Sequence, residues 1–270
     1  MSESFDLEHA LQVAREAAAA ADRIAMRYFR AADLAVEHKS DASPVTVADR
    51  ECEAAIRETL GRAFPDHAVF GEEYGHAGDS QCLWLVDPID GTRSFIRGLP
   101  FWSVQIALMV EGELVLGVSS APAFGETAWA VAGGAARMDA RELAVRPVER
   151  IEQADISFGN LRTLAGADGW SVVGRLVARA ARSRGYGDFY SYHRLAEGSQ
   201  DVVIESDVNI LDIAALTVIC RQAGARVTDL YGQPIGLDST SILAANPVLH
   251  RQVLSCFDDD AIQSSAAADS

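Results

Sequence analysis

The stretch Leu83-Trp84-Leu85-Val86-Asp87-Pro88-Ile89-Asp90-Gly91-Thr92 is an apolar strand that runs directly into two carboxylates three residues apart. Pro88 fixes one φ and biases Asp87 toward an extended conformation, so the chain must turn sharply where the acids sit. Gly91 permits an unusual φ or a close backbone approach. The amides of Gly91 and Thr92 open the short helical stretch that follows, and N–H groups without intrahelical acceptors receive phosphate well. Any one piece reads as an Asp-Pro turn or an Asp N-cap; the whole string holds two acids and an anion-accepting turn at one strand end.

Outward from this string, Leu7, Leu11, Ala14, Ala18, Ala21, Ala25 and Tyr28 alternate at spacings of four and three, which predicts a helix over 6–31 with one buried stripe. Thr46 caps a second helix running to about Ala63, with Asp49 as the short partner of a capping box. Short strands are expected at Ala68 to Phe70, Leu83 to Val86, Ser103 to Val110, Leu114 to Ser119 and Thr127 to Val131, and Glu111-Gly112 is a hairpin turn signal. This half reads as α+β with a mainly antiparallel sheet.

From about residue 141 the order becomes strand (155–158), helix (170–184), helix (190–197), strand (201–204), helix (213–223) and strands (225–230, 240–244), an α/β layered pattern. The expected division is an N-terminal α+β half (1–140) with the metal and phosphate motifs, a C-terminal α/β half (141–257) completing the site, and a disordered acidic tail (258–270).

Composition sets limits. Of 270 residues, 49% are apolar, enough for a core without staples. No run approaches the roughly 18 uninterrupted apolar residues of a membrane span, and no basic segment precedes an apolar run at the N-terminus. Cys52, Cys82, Cys220 and Cys256 form no C-x-x-C pair, consistent with a reducing cytoplasm. The formal charge of −16 argues against nucleic acid, because that affinity rests on Lys and Arg neutralising phosphates. Lys39 is the only lysine in the chain, the others of its class being arginine.

Further acids gather around the opening string. Gly71-Glu72-Glu73 follows a short strand, and Asp212 begins the apolar helix Ile213-Ala214-Ala215-Leu216. Alone, the first is a charged loop and the second an N-cap. Together, Glu72, Asp87, Asp90 and Asp212 make an oxygen-only donor set of the kind Mg2+ prefers, and without paired His or Cys the set does not suit zinc.

In these strings the chain resembles the inositol-monophosphatase superfamily, whose signatures are similar to Gly71-Glu72-Glu73, Asp87-Pro88-Ile89-Asp90-Gly91-Thr92 and Asp212-Ile213-Ala214-Ala215. The likeness runs from about residue 7 to 250, with Leu211 where the family usually has Trp. It implies a layered αβαβα sandwich, a homodimer, and two or three Mg2+ held by Glu72, Asp87, Asp90, Asp212 and the Ile89 carbonyl. It also implies phosphate binding by Asp90, Gly91 and Thr92, with Thr92, Asp49 and Glu72 as catalytic residues. Thr92 and Asp49 would orient and deprotonate the attacking water, which reacts without a phosphoenzyme; Lys39 is expected nearby.

A closer likeness is to bacterial histidinol-phosphate phosphatases of this type, carried by Lys39 to Glu51, Ser119 to Phe124, and Arg184-Gly185-Tyr186-Gly187-Asp188-Phe189-Tyr190-Ser191-Tyr192. It implies hydrolysis of L-histidinol phosphate in histidine synthesis, with Tyr186, Gly187, Asp188, Glu205 and Asp212 touching the substrate. Acids near the phosphate site suit the cationic amine of that substrate. The alternatives are inositol-1-phosphate or another small phosphate ester, and, in a different class, a non-catalytic phosphometabolite-binding protein.

Overall fold

The computed structural model describes residues 6–31, 36–38, 44–166 and 170–268, apart from the side chains of 38 and 258–268. Lys39 lies outside these residues. Helix α1 (Leu7–Tyr28) buries Leu11, Ala14, Ala18, Ala21 and Ala25, the stripe read from the spacing, and Asp6 caps it. A ribbon of β1 (Val36–His38) and β2 (Pro44–Thr46) leads into α2 (Val47–Ala63), where Thr46 and Asp49 form the expected capping box.

There follow β3 (Ala68–Gly71), β4 (Gly75–Ala77), β5 (Cys82–Asp90), the short α3 (Thr92–Ile96), β6 (Ser103–Val110), β7 (Glu113–Ala121), β8 (Glu126–Val131), β9 (Arg137–Met138) and β10 (Arg141–Glu142). The strands form one sheet in the order β10-β9-β8-β7-β6-β5-β3-β4, antiparallel except where β3 lies beside β5. Glu111-Gly112 joins β6 to β7, with Val110 opposite Glu113. The second half contains β11 (Asp155–Gly159), α4 (Leu161–Gly166), α5 (Trp170–Arg179), β12 (Arg182–Arg184), α6 (Asp188–Ala196), β13 (Val202–Ser206), α7 (Ile210–Gln222), β14 (Arg226–Thr228), β15 (Ser241–Ala245) and α8 (Pro247–Ala268). Its five-stranded sheet runs β12-β11-β13-β15-β14.

Three apolar clusters stack these elements into five layers. Trp84, Val86, Ile106 and Leu108 face α1 and α2. The opposite face of the same sheet, with Leu83, Leu85 and Ala107, packs on α6 and α7, which also cover Val203, Ile242 and Ala244 of the second sheet. The outer face of that sheet, with Ile156, Val202, Ile204 and Leu243, packs on α5 and α8. The order is helices, sheet, helices, sheet, helices: an αβαβα sandwich. Strand β5 is covered by helices on both faces, which explains its unbroken apolar run. Truncating the fully buried Trp84 to alanine costs about 3–5 kcal/mol.

Some local expectations are corrected. The helix expected over 170–184 ends at Arg179, and 182–184 becomes an edge strand paired with β11, because tertiary pairing overrides the helix propensity of Ala180 and Ala181. The helices expected from 190 and 213 begin earlier, at Asp188 and Ile210. The backbone of α8 is helical through Ala268. Strand β10 belongs to the large sheet although it lies beyond residue 140.

Candidate active site

At the end of β5 the pairing with β6 breaks between Asp87 and Asp90, and the irregularity brings both acids to the same end of the strand. The Ile89 N–H donates to Asp87 Oδ1 (3.0 Å). Asp90 Oδ2 accepts from Ser103 Oγ and from the Phe189 N–H, each at 3.3 Å. Gly91 has φ 86° and caps α3. A Cβ there would lie 2.6 Å from the Phe101 carbonyl, so the turn admits only glycine.

Asp49 and Asp212 reach the same region through identical local devices. Each is the third residue of its helix, with one carboxylate oxygen accepting from the amide of the capping residue: Thr46 to Asp49 Oδ2 and Asn209 to Asp212 Oδ2, both 2.8 Å. Asp212 therefore sits three residues inside the helix rather than at the N-cap expected of it; Asn209 is the cap. The other Asp49 oxygen, Oδ1, lies 3.3 Å from Thr92 Oγ1, which also donates to the Ile89 carbonyl at 3.0 Å. Thr46 Oγ1 donates to Asp49 Oδ2 as well, at 2.6 Å, so the carboxylate cannot turn away from Thr92.

Asp87, Asp90 and Asp212 place carboxylate oxygens within 4.8 Å of one another. Glu72 stands in the β3–β4 turn, its amide bonded to the Val86 carbonyl (3.2 Å) and its side chain hydrogen-bonded to Asp87. Burial, followed by the charge of Glu72, Asp90 and Asp212, holds Asp87 well above the usual carboxylate range. Asp90 is raised by burial and then by Asp188, Asp212 and Glu205. Asp212 is pushed up to about 6, first by burial. After burial, the effects that raise Asp87 and Asp90 come from other acids, so the cluster is an acid-lined one. An oxygen-only set of this kind fits a hard divalent cation, and Glu72, Asp87, Asp90, Asp212 and the Ile89 carbonyl are the groups available to it.

On the other side of Asp90, Asp188 opens α6 with φ 48°, after Gly187. Asp188, Glu205, Asp90, Asp212, Asn160 and Tyr192 line one small cavity. Burial pushes Asp188 up to about 6 and Glu205 up to about 8, with neighbouring acids adding to both. The Tyr192 hydroxyl donates to Glu205 Oε2 at 2.8 Å, and the Asp188 backbone N–H also bonds Glu205. Tyr186 is placed apart from this cavity. It is 42% exposed and belongs to an aromatic group with Phe101 and Tyr190. Leu211 is buried in the central core, so its position remains apolar.

Tyr192 entered only as the end of the Arg184–Tyr192 string, without a role, and nothing in the spacing of Asn160 marks it. Glu53 was also missed. It is completely buried and accepts from the Glu73 N–H (2.6 Å) and the Tyr74 N–H (3.2 Å). A signal existed, because Glu53 lies four residues after Asp49 on the buried face of α2.

Among the described residues, no helix is long and apolar enough to cross a membrane. The sequence profile of the Inositol monophosphatase family matches residues 6–260. The chain is 39% identical to a histidinol-phosphatase of Streptomyces coelicolor, covering 90% of this chain and 95% of that one. It is 40% identical to a histidinol-phosphatase of Mycobacterium tuberculosis, covering 90% and 96%. Among solved structures, the extragenic suppressor protein suhB from Bartonella henselae superposes with a TM-score of 0.86 at 30% identity, covering 92% of this chain and 98% of that one. With the phosphatase motifs intact on a shared fold, the chain belongs to the inositol monophosphatase family and is a phosphoric monoester hydrolase.

Proposed function

We propose that the chain is a Mg2+-dependent phosphatase that converts L-histidinol phosphate to L-histidinol and phosphate, working in the cytoplasm as a homodimer. The observation that carries the substrate is that Asp188 and Glu205 line the same cavity as Asp90 and Asp212. Two of the four acids lie in the metal cluster and two are left for the substrate. Asp188 and Glu205 offer an anionic pocket to an ammonium or imidazolium, whereas a hydroxyl-only substrate leaves that charge uncompensated. The likeness to two histidinol-phosphatases favours the same reading.

The Gly91 and Thr92 amides receive the phosphate oxygens at the start of α3. Thr92 Oγ1 accepts a hydrogen of the attacking water and passes a proton toward Asp49 Oδ1, 3.3 Å away. Burial raises Asp49 above its ordinary value, which makes it the better acceptor. When bound, Mg2+ neutralises the ester and acidifies water. The family description favours inositol-1-phosphate as the competing substrate.

The test is phosphate release from L-histidinol phosphate, inositol-1-phosphate, fructose-1,6-bisphosphate and adenosine 3′,5′-bisphosphate with Mg2+, repeated with EDTA. Preference for histidinol phosphate, lost with EDTA, is expected. Preference for inositol-1-phosphate would overturn the substrate and leave the hydrolase.

A further inference from the structure

The carboxylate of Glu53 is fully buried, and its hydrogen bonds go to Arg57 and to the backbone of Glu73 and Tyr74 rather than to the acid cluster. It reaches instead around the turn that carries Glu72. Oε2 accepts from the Glu73 N–H at 2.6 Å, and Oε1 accepts from the Tyr74 N–H at 3.2 Å and from Arg57 Nε at 2.7 Å. Arg57 in turn donates to the Gly75 carbonyl, so the pair holds the turn and the first residue of β4. The fit leaves no room for a side chain at position 71, because a Cβ on Gly71 would lie 2.1 Å from Glu53 Oε1. The glycine of Gly71-Glu72-Glu73 is thereby explained by the carboxylate packed against it.

A buried ion pair adds little net stability over apolar packing of the same volume. What this pair adds is direction: the amides of the two residues after Glu72 are fixed, while the Glu72 amide is held from the other side by the Val86 carbonyl. Glu53 also lies one helical turn after Asp49, so a single helix, α2, sets both the acid that faces Thr92 and the turn that presents Glu72.

We propose that Glu53, locked by Arg57, is a positioning residue that aims Glu72 at the acid cluster, and that Gly71 exists to admit it. This rests on the reading of Glu72 as a metal ligand. The test is calorimetric titration of Mg2+ into the metal-free full-length protein, alongside melting temperature and the Mg2+ dependence of phosphate release. Glu53→Gln keeps the volume and loses the charge; its Mg2+ affinity is expected to fall about tenfold, with turnover at saturating Mg2+ largely retained. Gly71→Ala, which leaves every charge in place, is expected to weaken Mg2+ in the same way, and to add nothing further in a Glu53→Ala background. That background dependence is a readout that simple destabilisation does not give. It also keeps the test open should Glu53→Gln fail to fold.

Unchanged Mg2+ affinity in folded Glu53→Gln or Gly71→Ala, with only the melting temperature lowered, would overturn the proposal while wild-type binding upholds the metal site. A wild-type protein that takes up no Mg2+ would overturn the reading of the site, and the proposal with it.

Discussion

Asp87 and Asp201 are equally enclosed, each 2% exposed, and they have opposite surroundings. Asp201, at the base of the second sheet, takes hydrogen bonds from Arg146 at 2.6 and 3.0 Å and from the Asp155 amide at 2.8 Å. Asp87 takes the amide of Ile89 and otherwise faces Glu72, Asp90 and Asp212. The first acid has its cation within the chain, and its region needs nothing more. The second is among acids, a costly arrangement that a bound cation relieves. The same contrast separates Glu126, gripped by Arg194 and His193, from Glu205, pushed up to about 8 by burial in the acidic cavity. The difference distinguishes an acid paired with a cation of the fold from one set among acids that could hold a metal ion.

The widest split should come from the same substitution at the two places. Asp90→Asn is expected to lower turnover about 1000-fold or more, the loss of several kcal/mol of charge stabilisation, with circular dichroism unchanged. Asp201→Asn is expected to lower stability by about 2 kcal/mol through its abandoned Arg146, with turnover per folded molecule retained. Similar damage to both properties in both variants would erase the distinction.

A smaller effect is expected within the acidic cavity. Asp188→Asn should raise the KM for histidinol phosphate roughly 10- to 100-fold, as expected for a charged hydrogen bond of about 1.5–3 kcal/mol, with kcat less affected. An unchanged KM would remove Asp188 as the selector.

The smallest effect is on stability against pH. Glu205, pushed up from 4.5 to about 8, keeps a proton that the unfolded chain has released, and the raised Asp87 and Asp90 act in the same sense, so the stability of the metal-free protein should fall as pH rises from about 6.5 to about 8. Buried His193 and His250, whose values are lowered, act in the opposite sense, and only as the pH falls through about 6.5. Mg2+ at about a hundredfold excess over its Kd contributes about 2.7 kcal/mol, a rise of roughly 5–10 °C in melting temperature. That rise should be larger at the alkaline end. A metal-free protein that gains stability across this range would contradict the assignment of protonated acids.

What the sequence made legible follows from locality. The string from Leu83 to Thr92 carries its strand, turn and acids within ten residues, and the capping role of Asp49 is a relation over three. The strand at 182–184 exists only by pairing with β11, and no pattern within it marks a strand. Helix α8 had a local signal that went unread: Asn246 before Pro247, with Asn246 Oδ1 accepting from the Val248 and Leu249 amides. The meeting of Asp188, Glu205 and Asp90 joins three elements far apart in the chain, so only the family resemblance could place them together.

The central claim is that a divalent cation binds the clustered acids and displaces protons from them. Mg2+ titrated into weakly buffered, metal-free protein near pH 7.5, followed with a pH electrode, addresses it directly. The expected result is saturable uptake with proton release, both lost in Asp90→Asn. Absence of saturable uptake, or the same uptake and release in the variant, would contradict the account.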